Sequence, residues 1–245
     1  MTILKPSEDA FGAAMLHYLL DGGGFEAFER DDGVLATGPG PAIYFRPRAK
    51  WASHERRAMR FARGRVLDIA CGAGRVALDL QERGLEVVGI DNSPGAIEAC
   101  ARLGLRDARL QSVHELNPDL GTFDTILLLG NTFGIGGTPE GTVKLLSKLR
   151  EISSPRGRII AESLDPLSTD DPRHLRYHKE NRKAGRWPGQ VRIRNRYLEY
   201  ATPWMDLLLT TPAELAQLAG EAGWSVRKSL LGDGGHHIAI LERMQ

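Results

Sequence analysis

The stretch RVLDIACGAGRVALDLQERGLEVVGID, from Arg65 to Asp91, decides the fold of this chain. It begins as an apolar strand containing Asp68, passes through a loop with glycines at 72 and 74, continues with helical spacing and ends as a second apolar strand on Asp91. Glycine lets the backbone approach a ligand closely, and the free N–H groups at a helix start point to the same place. An acid that ends the second strand is placed to accept hydrogen bonds from ribose hydroxyls. The stretch therefore predicts half of a βαβ unit that binds an adenosine-containing cofactor.

Two classes of cofactor compete for this loop. Gly72-x-Gly74-x-x-Ala77 satisfies the dinucleotide fingerprint, and Asp91 follows Gly74 at close to the expected spacing. A dinucleotide would place a pyrophosphate on the loop, where the carboxylate of Asp68 would repel it. S-adenosylmethionine has no phosphate and carries a cationic sulfonium and a cationic ammonium group. Asp68 therefore favours S-adenosylmethionine.

The motifs around this loop resemble those of a known family. VLDIACGAGR followed by VVGIDNSPGAI resembles the first two motifs of the class I S-adenosylmethionine-dependent methyltransferases of the small-molecule type. FDTILLLGNTFG at 123–134 and PRGRIIAESLDP at 155–166 resemble the fourth and fifth strands of that family. The resemblance covers about residues 65–163. It implies that Asp68, Gly72 and Gly74 surround the methionine group of the cofactor and that Asp91 binds its ribose.

The third strand departs from the family pattern. Many members carry an acid after this strand that reaches the adenine amino group, whereas this chain has Ser112 there, followed by Val113. Asn131, directly after an apolar strand, is placed either to hold the methionine group or the substrate, or to cap the turn. The predicted cofactor-binding residues are Asp68, Ala70, Cys71, Gly72, Gly74, Asp91, Asn92, Ser112, Val113 and Asn131.

The middle of the chain alternates strands and helices. Strands are predicted near 65–70, 85–90, 107–111, 123–130 and 157–163, and helices near 74–83, 94–103 and 138–151. Such alternation predicts an α/β fold with a Rossmann-like, doubly wound, mostly parallel sheet. A final helix at 212–222 precedes two strands near 224–231 and 236–242, which form a hairpin. An antiparallel addition at the sheet edge is what class I methyltransferases use, and it completes a seven-stranded sheet.

Two further regions are predicted outside this core. Residues 1–64 form an N-terminal lid segment with helices at 7–20 and 52–62 and a short strand at 42–45, and residues 65–245 form the methyltransferase core. The core carries a cap insert at about 165–210. The insert is polar and partly helical at first, and QVRIRNRYLEY at 190–200 then predicts an exposed strand that pairs with 203–209.

Composition limits the classes of partner. The chain has 245 residues, 26% of them charged, and a net charge of +1, so no global field favours nucleic acid or a membrane surface. Cys71 and Cys100 give neither a disulfide framework nor a metal-binding spacing, and no metal is predicted. The start, MTILKPSEDAFG, has no signal-peptide pattern, and no apolar run is long enough to predict a membrane-spanning helix. We expect a soluble cytoplasmic protein, a monomer or a homodimer, with a small-molecule acceptor.

Candidate catalytic residues follow from the chemistry of methyl transfer. The protein mainly positions the nucleophile for an in-line displacement, and a hydroxyl acceptor also needs a general base. His174 and His178 lie one helical turn apart in the insert, with Tyr177 between them, and on a helix they share a face. They are predicted as a base and its partner, as half of a metal site for which no third ligand lies at helical spacing, or as an exposed surface pair. His236 and His237, at the hairpin turn, are predicted to be surface residues.

Candidate substrate-binding residues come from the lid and the insert. Tyr44 and Trp51 can line an apolar acceptor pocket, although aromatic residues also bury well as ordinary core. Arg192 and Arg194 lie on one strand face together with Arg196, where they can hold an anionic acceptor or form a solvated surface. The sequence thus predicts methyl transfer to an oxygen or nitrogen atom of a small metabolite. RNA or protein methylation, an NAD(P)-dependent oxidoreductase and a non-catalytic cofactor-binding protein remain as alternatives.

Overall fold

A computed structural model of the chain describes residues 2–244. The elements of this part of the chain alternate for most of its length between strands and helices. In chain order they are α1 (Ala10–Asp21), β1 (Ala27–Arg30), β2 (Leu35–Thr37), α2 (Ser53–Ala58), β3 (Arg65–Ile69), α3 (Arg75–Glu82), β4 (Glu86–Asp91), α4 (Pro94–Arg102), β5 (Ala108–Leu110), β6 (Phe123–Leu128), α5 (Pro139–Glu151), β7 (Ser153–Leu164), α6 (Pro172–Lys183), β8 (Gln190–Tyr197), β9 (Tyr200–Ala201), β10 (Met205–Leu208), α7 (Pro212–Glu221), β11 (Trp224–Leu231) and β12 (His236–Arg243).

Seven of these strands form the central sheet, in the order β11-β12-β7-β6-β3-β4-β5. The strands from β7 to β5 pair in parallel, with Ile69 of β3 beside Leu128 of β6 and Ile90 of β4. Strand β12 runs antiparallel to both of its neighbours. The predicted Rossmann-like fold with an antiparallel C-terminal hairpin is therefore confirmed. The antiparallel strand does not take the edge, however, because β11 lies outside it.

Apolar residues cover both faces of the central sheet. Successive side chains of β3 alternate, so that Leu67 belongs to one buried cluster and Val66 to the other. Two layers of helices are needed to bury both faces, which is the reason for the strand–helix alternation of the sequence. Asp68 interrupts this apolar strand and is only 3% exposed. Burying a charged carboxylate at the end of a central strand costs free energy unless a ligand or a neighbouring group stabilises the charge.

A second sheet joins the N-terminal region to the insert. Its order is β10-β8-β1-β2, with β9 also paired to β8, and we call it the cap sheet. The predicted pairing of the two insert segments is confirmed by the antiparallel pairing of β10 with β8. Strand β1 adds to the other side of β8, placing Phe28 opposite Asn195. The sequence predicted neither β1 nor β2, and the N-terminal region thus contributes strands as well as helices.

Two local predictions in the N-terminal region are wrong. Residues 42–45 belong to a 3₁₀-helix, Pro41–Phe45, and not to a strand. Proline fits the first turn of a helix, and Tyr44 and Phe45 pack against α1 instead of joining a sheet. The helix predicted at 52–62 is also shorter, because α2 ends at Ala58.

Helix α1 is anchored on the start of α4. The carboxylate of Asp9 caps α1 by accepting a hydrogen bond from Gly12 N at 2.9 Å, and it also accepts bonds from Ser93 Oγ at 2.7 Å and Gly95 N at 2.8 Å. The two helices touch through glycines, since a Cβ atom on Gly95 would lie 2.7 Å from the carbonyl carbon of Gly12. This contact holds α1 over the loop that follows β3. A hydrogen bond between His17 of α1 and Tyr197 of β8 ties the same helix to the cap sheet.

No helix within residues 2–244 is long and apolar enough to cross a membrane.

Candidate cofactor and acceptor site

The loop after β3 has the backbone conformation of a ligand cradle. Ala70, Gly72 and Gly74 all have positive φ angles, of 54°, 57° and 77°. Residues with side chains rarely adopt this region, and the glycines supply it without strain. A Cβ atom on Gly72 would lie 3.2 Å from Cε of Met15, so α1 closes tightly over the loop. Helix α3 then begins at Arg75, with Gly74 as its N-cap.

Asp91 joins the ends of the first two central strands. Its Oδ2 accepts a hydrogen bond from Gly72 N at 2.9 Å, and its Oδ1 accepts one from Ser93 N at 2.9 Å. Burial raises the pKa of Asp91 to about 6, although these two backbone bonds act to lower it. Each carboxylate oxygen keeps further lone pairs. The side chain is therefore fixed in the position from which it can accept hydrogen bonds from ribose hydroxyls.

Asp68 is the second buried acid of the cradle. Burial raises its pKa to about 7, the charge of Arg75 acts to lower it, and the charge of Asp91 acts to raise it further. Arg75 is held in turn by Glu55, with Nη1 3.1 Å from Oε2, and its guanidinium lies 4.5 Å from the ring centre of Trp51. A cationic ligand group beside Asp68 would relieve the cost of its buried charge. A phosphate would increase that cost.

The side of the cradle near β4 and β5 forms a narrow cleft. Its lining residues lie at or just after the carboxyl ends of β3, β4, β5 and β6, and they are Ala70, Ile90, Asp91, Asn92, Gln111, Ser112, Val113 and Ile135. Ser112 Oγ accepts a hydrogen bond from His114 N at 3.1 Å. Asn92 donates from Nδ2 to Thr2 O at 2.8 Å, so the N-terminal segment covers this side. The cleft has the mixed polar and apolar lining that an adenosine group requires.

Asn131 provides a further test of the fit to S-adenosylmethionine. It follows β6 in the left-handed conformation, with φ of 70°. Its side-chain Oδ1 is buried and accepts no hydrogen bond from any residue in the described part of the chain. Such an oxygen costs free energy unless a ligand supplies a donor. With Asp68 and Asp91, it makes a set of acceptors suited to ammonium and hydroxyl groups.

A second polar cluster lies at the ends of β7 and β12. Glu162 Oε2 accepts a hydrogen bond from Gly130 N at 2.8 Å, and its Oε1 lies 3.4 Å from His236 Nδ1 and 3.9 Å from His54 Nε2. Burial acts to raise the pKa of Glu162, but the nearby imidazoles of His236 and His54 and the hydrogen bond from Gly130 N together lower that pKa to about 2. The carboxylate of Glu162 raises the pKa of His236. No group of three or more His, Cys, Asp or Glu residues within the described chain is arranged to hold a metal ion.

Helix α2 connects the two polar clusters. His54 faces Glu162 at the end of β7, whereas Glu55 faces Arg75 at the start of α3. One turn of α2 therefore lies across the carboxyl ends of the parallel strands, between the glycine loop and the hairpin of β11 and β12. In open α/β sheets these ends are where ligands bind.

The predicted catalytic residues all lie on α6. Tyr177 is buried, donates from its hydroxyl to Asp31 Oδ1 at 2.7 Å and lies under the guanidinium of Arg30. His178 is 4% exposed, and burial lowers its pKa. His174 is half-buried and lies 3.9 Å from Asp171. Within residues 2–244, no hydrogen bond or ion pair joins these three side chains to the glycine loop, and their role in catalysis stays a prediction.

The predicted substrate-binding residues separate into two places. Tyr44 and Trp51 lie beside the glycine loop: the hydroxyl of Tyr44 donates to Glu26 at 3.1 Å and its ring contacts Phe11, while Trp51 lies against Arg75. Arg192 and Arg194 lie on the cap sheet. Arg192 is exposed, whereas Arg194 donates to Glu29 at 2.8 Å and lies over the ring of Trp204.

Several site residues were not singled out from the sequence: Glu26, His54, Glu55 and Arg75. Arg75 directly follows Gly74 and could have been selected as the first residue of the loop helix. The others lie in the N-terminal region, where no local pattern indicates which side chains face the central sheet. His236 and His237 were predicted to be surface residues, which is wrong for His237. His236 is half-buried, and His237 is buried and lies 2.7 Å from Thr210 O.

A wider groove opens at the opposite end of the central sheet, between the end of α5 and the end of α7. It is lined by Ser147, Arg150, Glu151, Glu221, Ala222, Gly223 and Arg243. It faces the end of the sheet where the parallel strands begin. Because ligands of such sheets bind at the carboxyl ends, we place the functional site at the glycine loop and not in this groove.

Comparison with known proteins agrees with this geometry. A family model described as "Methyltransferase domain" matches residues 66–157. The structure of an S-adenosylmethionine-dependent methyltransferase from Bacteroides fragilis in complex with S-adenosylhomocysteine superposes with a TM-score of 0.84, at 26% identity, covering 100% of this chain and 98% of that one. The chain thus carries a methyltransferase domain at residues 66–157 and shares the fold of an S-adenosylmethionine-dependent methyltransferase. The predicted cofactor of this methyltransferase, S-adenosylmethionine, is thereby confirmed.

Curated relatives match this methyltransferase over shorter stretches. A 23S rRNA (uracil(1939)-C(5))-methyltransferase, RlmD, of Thiobacillus denitrificans is 30% identical over 114 residues, which are 42% of this chain and 24% of that protein. The human methyltransferase-like protein 27 is 40% identical over 70 residues, which are 26% of this chain and 28% of that protein. The chain thus spans about a quarter of the length of both relatives.

The buried acids of this methyltransferase predict how cofactor binding depends on pH. Asp68, with a pKa of about 7, holds a proton below that pH, and a cationic ammonium group binds better once this proton is lost. S-adenosylhomocysteine, which carries that ammonium group, is therefore expected to bind more tightly as the pH rises from about 5 to 8, by up to about tenfold per pH unit below the pKa. Calorimetric titrations across this range measure the effect. Asp68→Asn should remove most of the dependence, and an affinity that falls as the pH rises would contradict it.

Proposed function

We propose that this methyltransferase acts on an oxygen or nitrogen atom of a small metabolite. The observation that carries the proposal is that helix α1 and the cap sheet enclose the carboxyl ends of the central strands. Helix α1 closes over Gly72, and β10 presses on the turn after β6 so closely that a Cβ atom on Gly134 would overlap the carbonyl oxygen of Leu208. A small molecule can be held in such a covered site, whereas a folded macromolecule needs an open one.

Charge on the cap supports the same conclusion. Arg194 and Arg196 both donate to Glu29, and Arg173 donates to Asp171. Cations that are already paired with carboxylates are poor partners for a run of phosphates. These pairings reduce the positive charge that the cap offers to phosphates, which weighs against RNA as the acceptor.

The residues of the site have separate parts in this chemistry. When bound, S-adenosylmethionine supplies a methyl group on a positively charged sulfur. Asp91 would hold the ribose, and Asp68 with Asn131 would hold the ammonium end. The lid and the cap exclude water, and they position the acceptor for in-line attack from the side of β6 and β7.

Transfer of a labelled methyl group tests the proposal. The chain is incubated with deuterium-methyl-labelled S-adenosylmethionine and, in separate reactions, with a fractionated small-metabolite extract, with total RNA and with denatured protein. We expect the label in a small-metabolite fraction. Label found only in RNA would contradict the proposal and would favour the RNA alternative, which the similarity to the rRNA methyltransferase motivates. RNA binding that weakens steeply with salt would support that outcome.

A further inference from the structure

We infer that the acceptor is a hydroxyl compound and that His236 removes its proton, with Glu162 holding the imidazole in position. The inference rests on the proposed function and specifies its acceptor atom. It depends on the position of the cluster formed by His54, Glu162 and His236. It also depends on which ring nitrogen of His236 contacts Glu162 and which remains without a contact among the described residues.

The cluster lies on the acceptor side of the cofactor. Asp91 and the adenosine cleft occupy the ends of β4 and β5, so the acceptor has to approach from the ends of β6 and β7. Glu162 is near the end of β7 and is bonded to Gly130, the residue before Asn131. The carboxylate is thus one residue removed from the unpartnered amide oxygen that we assign to the cofactor.

The geometry of His236 leaves one ring nitrogen free for chemistry. Its Nδ1 lies 3.4 Å from Oε1 of Glu162, and this carboxylate favours the tautomer with the proton on Nδ1. Nε2 then carries the lone pair of the neutral imidazole. The side chain is 44% exposed, whereas Glu162 beneath it is only 12% exposed. A buried carboxylate that orients a more exposed imidazole is the arrangement expected of a general base and its positioning residue.

The charge around His236 sets the direction of its titration. Glu162 of β7 lies within ion-pair distance, and the ring centre of His54 of α2 lies 6.3 Å from that of His236. Asp165 after β7, Arg57 of α2, Asp233 of the preceding turn and His237 of β12 are the other titratable or charged groups of the surrounding elements, and none of them forms an ion pair or side-chain hydrogen bond with His236 among the described residues. Glu162 therefore dominates and stabilises the protonated ring.

The proposed step is balanced without any further reactant. The acceptor oxygen forms a bond to the methyl carbon while the carbon–sulfur bond breaks and its electron pair goes to sulfur. The proton of the acceptor hydroxyl goes to Nε2 of His236, and the imidazolium formed is stabilised by Glu162. The proton then passes to solvent through the exposed edge of the ring.

Three variants test the inference. His236→Asn removes the base, Glu162→Gln removes the orienting charge while keeping an acceptor for Gly130 N, and Asp233→Asn removes a nearby exposed carboxylate as a matched control. Histidine NMR titration measures the pKa of residue 236, and kcat/KM is measured against pH with the hydroxyl acceptor that the labelling experiment finds. Thermal unfolding verifies that each variant folds.

We expect kcat/KM of the unmodified chain to rise with pH through the pKa of His236 measured by NMR. Glu162→Gln should move both the NMR titration and the kinetic profile to lower pH, and His236→Asn should lower kcat about 10²–10⁴-fold without weakening S-adenosylhomocysteine binding. Asp233→Asn should change neither profile by more than a small shift. These results together support the inference.

Three outcomes would overturn it, wholly or in part, and can be told apart. If the unmodified chain methylates a hydroxyl acceptor but His236→Asn keeps its rate and its profile, the inference fails and the proposed function stands. If the chain binds S-adenosylhomocysteine but transfers methyl groups only to RNA or protein, both fail. A folded Glu162→Gln variant whose His236 titrates as in the unmodified chain also overturns the positioning role.

Discussion

Asp91→Ala is expected to weaken the binding of S-adenosylhomocysteine by about 100-fold. The side chain accepts hydrogen bonds from Gly72 N and Ser93 N and, in our assignment, from the ribose hydroxyls. Hydrogen bonds to a charged group contribute about 1.5–3 kcal/mol each, and about 2.7 kcal/mol corresponds to 100-fold in affinity. Loss of the carboxylate therefore removes the ribose contacts and also releases the glycine loop. Calorimetric titration of the variant measures the effect.

Asp107→Ala is the matched control for this prediction. Asp107 also lies close to the sheet, directly before β5, but its carboxylate is paired with Arg109 and is partly exposed. Its replacement should leave the affinity within about twofold, because exposed ion pairs contribute little. Asp91→Asn keeps an acceptor oxygen and should give an intermediate loss. If Asp91→Ala bound the ligand as tightly as the unmodified chain, the ribose assignment would be wrong.

Gly95→Ala is expected to destabilise the protein by about 1–3 kcal/mol and to speed the release of S-adenosylhomocysteine. The added Cβ atom would lie within 2.9 Å of three backbone atoms of Gly12, so α1 has to move away from α4. Movement of α1 also shifts Phe11 and Met15, which lie against Gly72. Thermal unfolding measures the first effect, and stopped-flow displacement measures the second.

Gly220→Ala provides the control for the second prediction. Gly220 lies in α7, and a Cβ atom placed there would meet nothing within 4 Å. Alanine is favoured over glycine in a helix by about 1 kcal/mol, so this variant should be stabilised or unchanged. The same preference applies to Gly95 in α4, and a loss of stability there is therefore assigned to the contact with α1. A stable Gly95→Ala variant with unchanged ligand release would contradict the role of α1 as a lid.

The sequence was most informative where structure is determined locally. Between Arg65 and Asp91, apolar alternation, two glycines and two acids lie within one strand–loop–helix–strand unit, and its strands and helix were predicted close to their observed bounds. The C-terminal hairpin was predicted for the same reason, because its turn and both strands are contiguous. The sequence could not predict that β12 lies between β11 and β7, since this depends on which of the two hairpin strands pairs with β7.

The cap sheet shows why the remainder was harder to predict. Strand β1 is short, and its burial does not alternate, so no period-two pattern indicates it. Its partner is β8, and all the parallel strands of the central sheet lie between β1 and β8 in the sequence. Ala27 therefore pairs with the distant Arg196. Pairing over such a distance depends on the assembled core and not on local preference.

The site shows the same division between local and distant contacts. Asp68, Asp91 and Asn131 follow directly from their places at strand ends. The ion pairs of Arg75 with Glu55 and of Glu162 with His236 join segments that belong to different elements of the chain, and no motif signals them. The roles predicted for Tyr177 and His178 remain untested, and their contacts on the cap account for their burial.

The most direct test of the central claim is a calorimetric titration of the purified chain with S-adenosylhomocysteine, with NADH titrated in parallel. The two acids beside the glycine loop predict binding of S-adenosylhomocysteine and no measurable heat with NADH, whose pyrophosphate Asp68 would repel. Binding of NADH without binding of S-adenosylhomocysteine would contradict the cofactor assignment and, with it, the proposed methyl transfer.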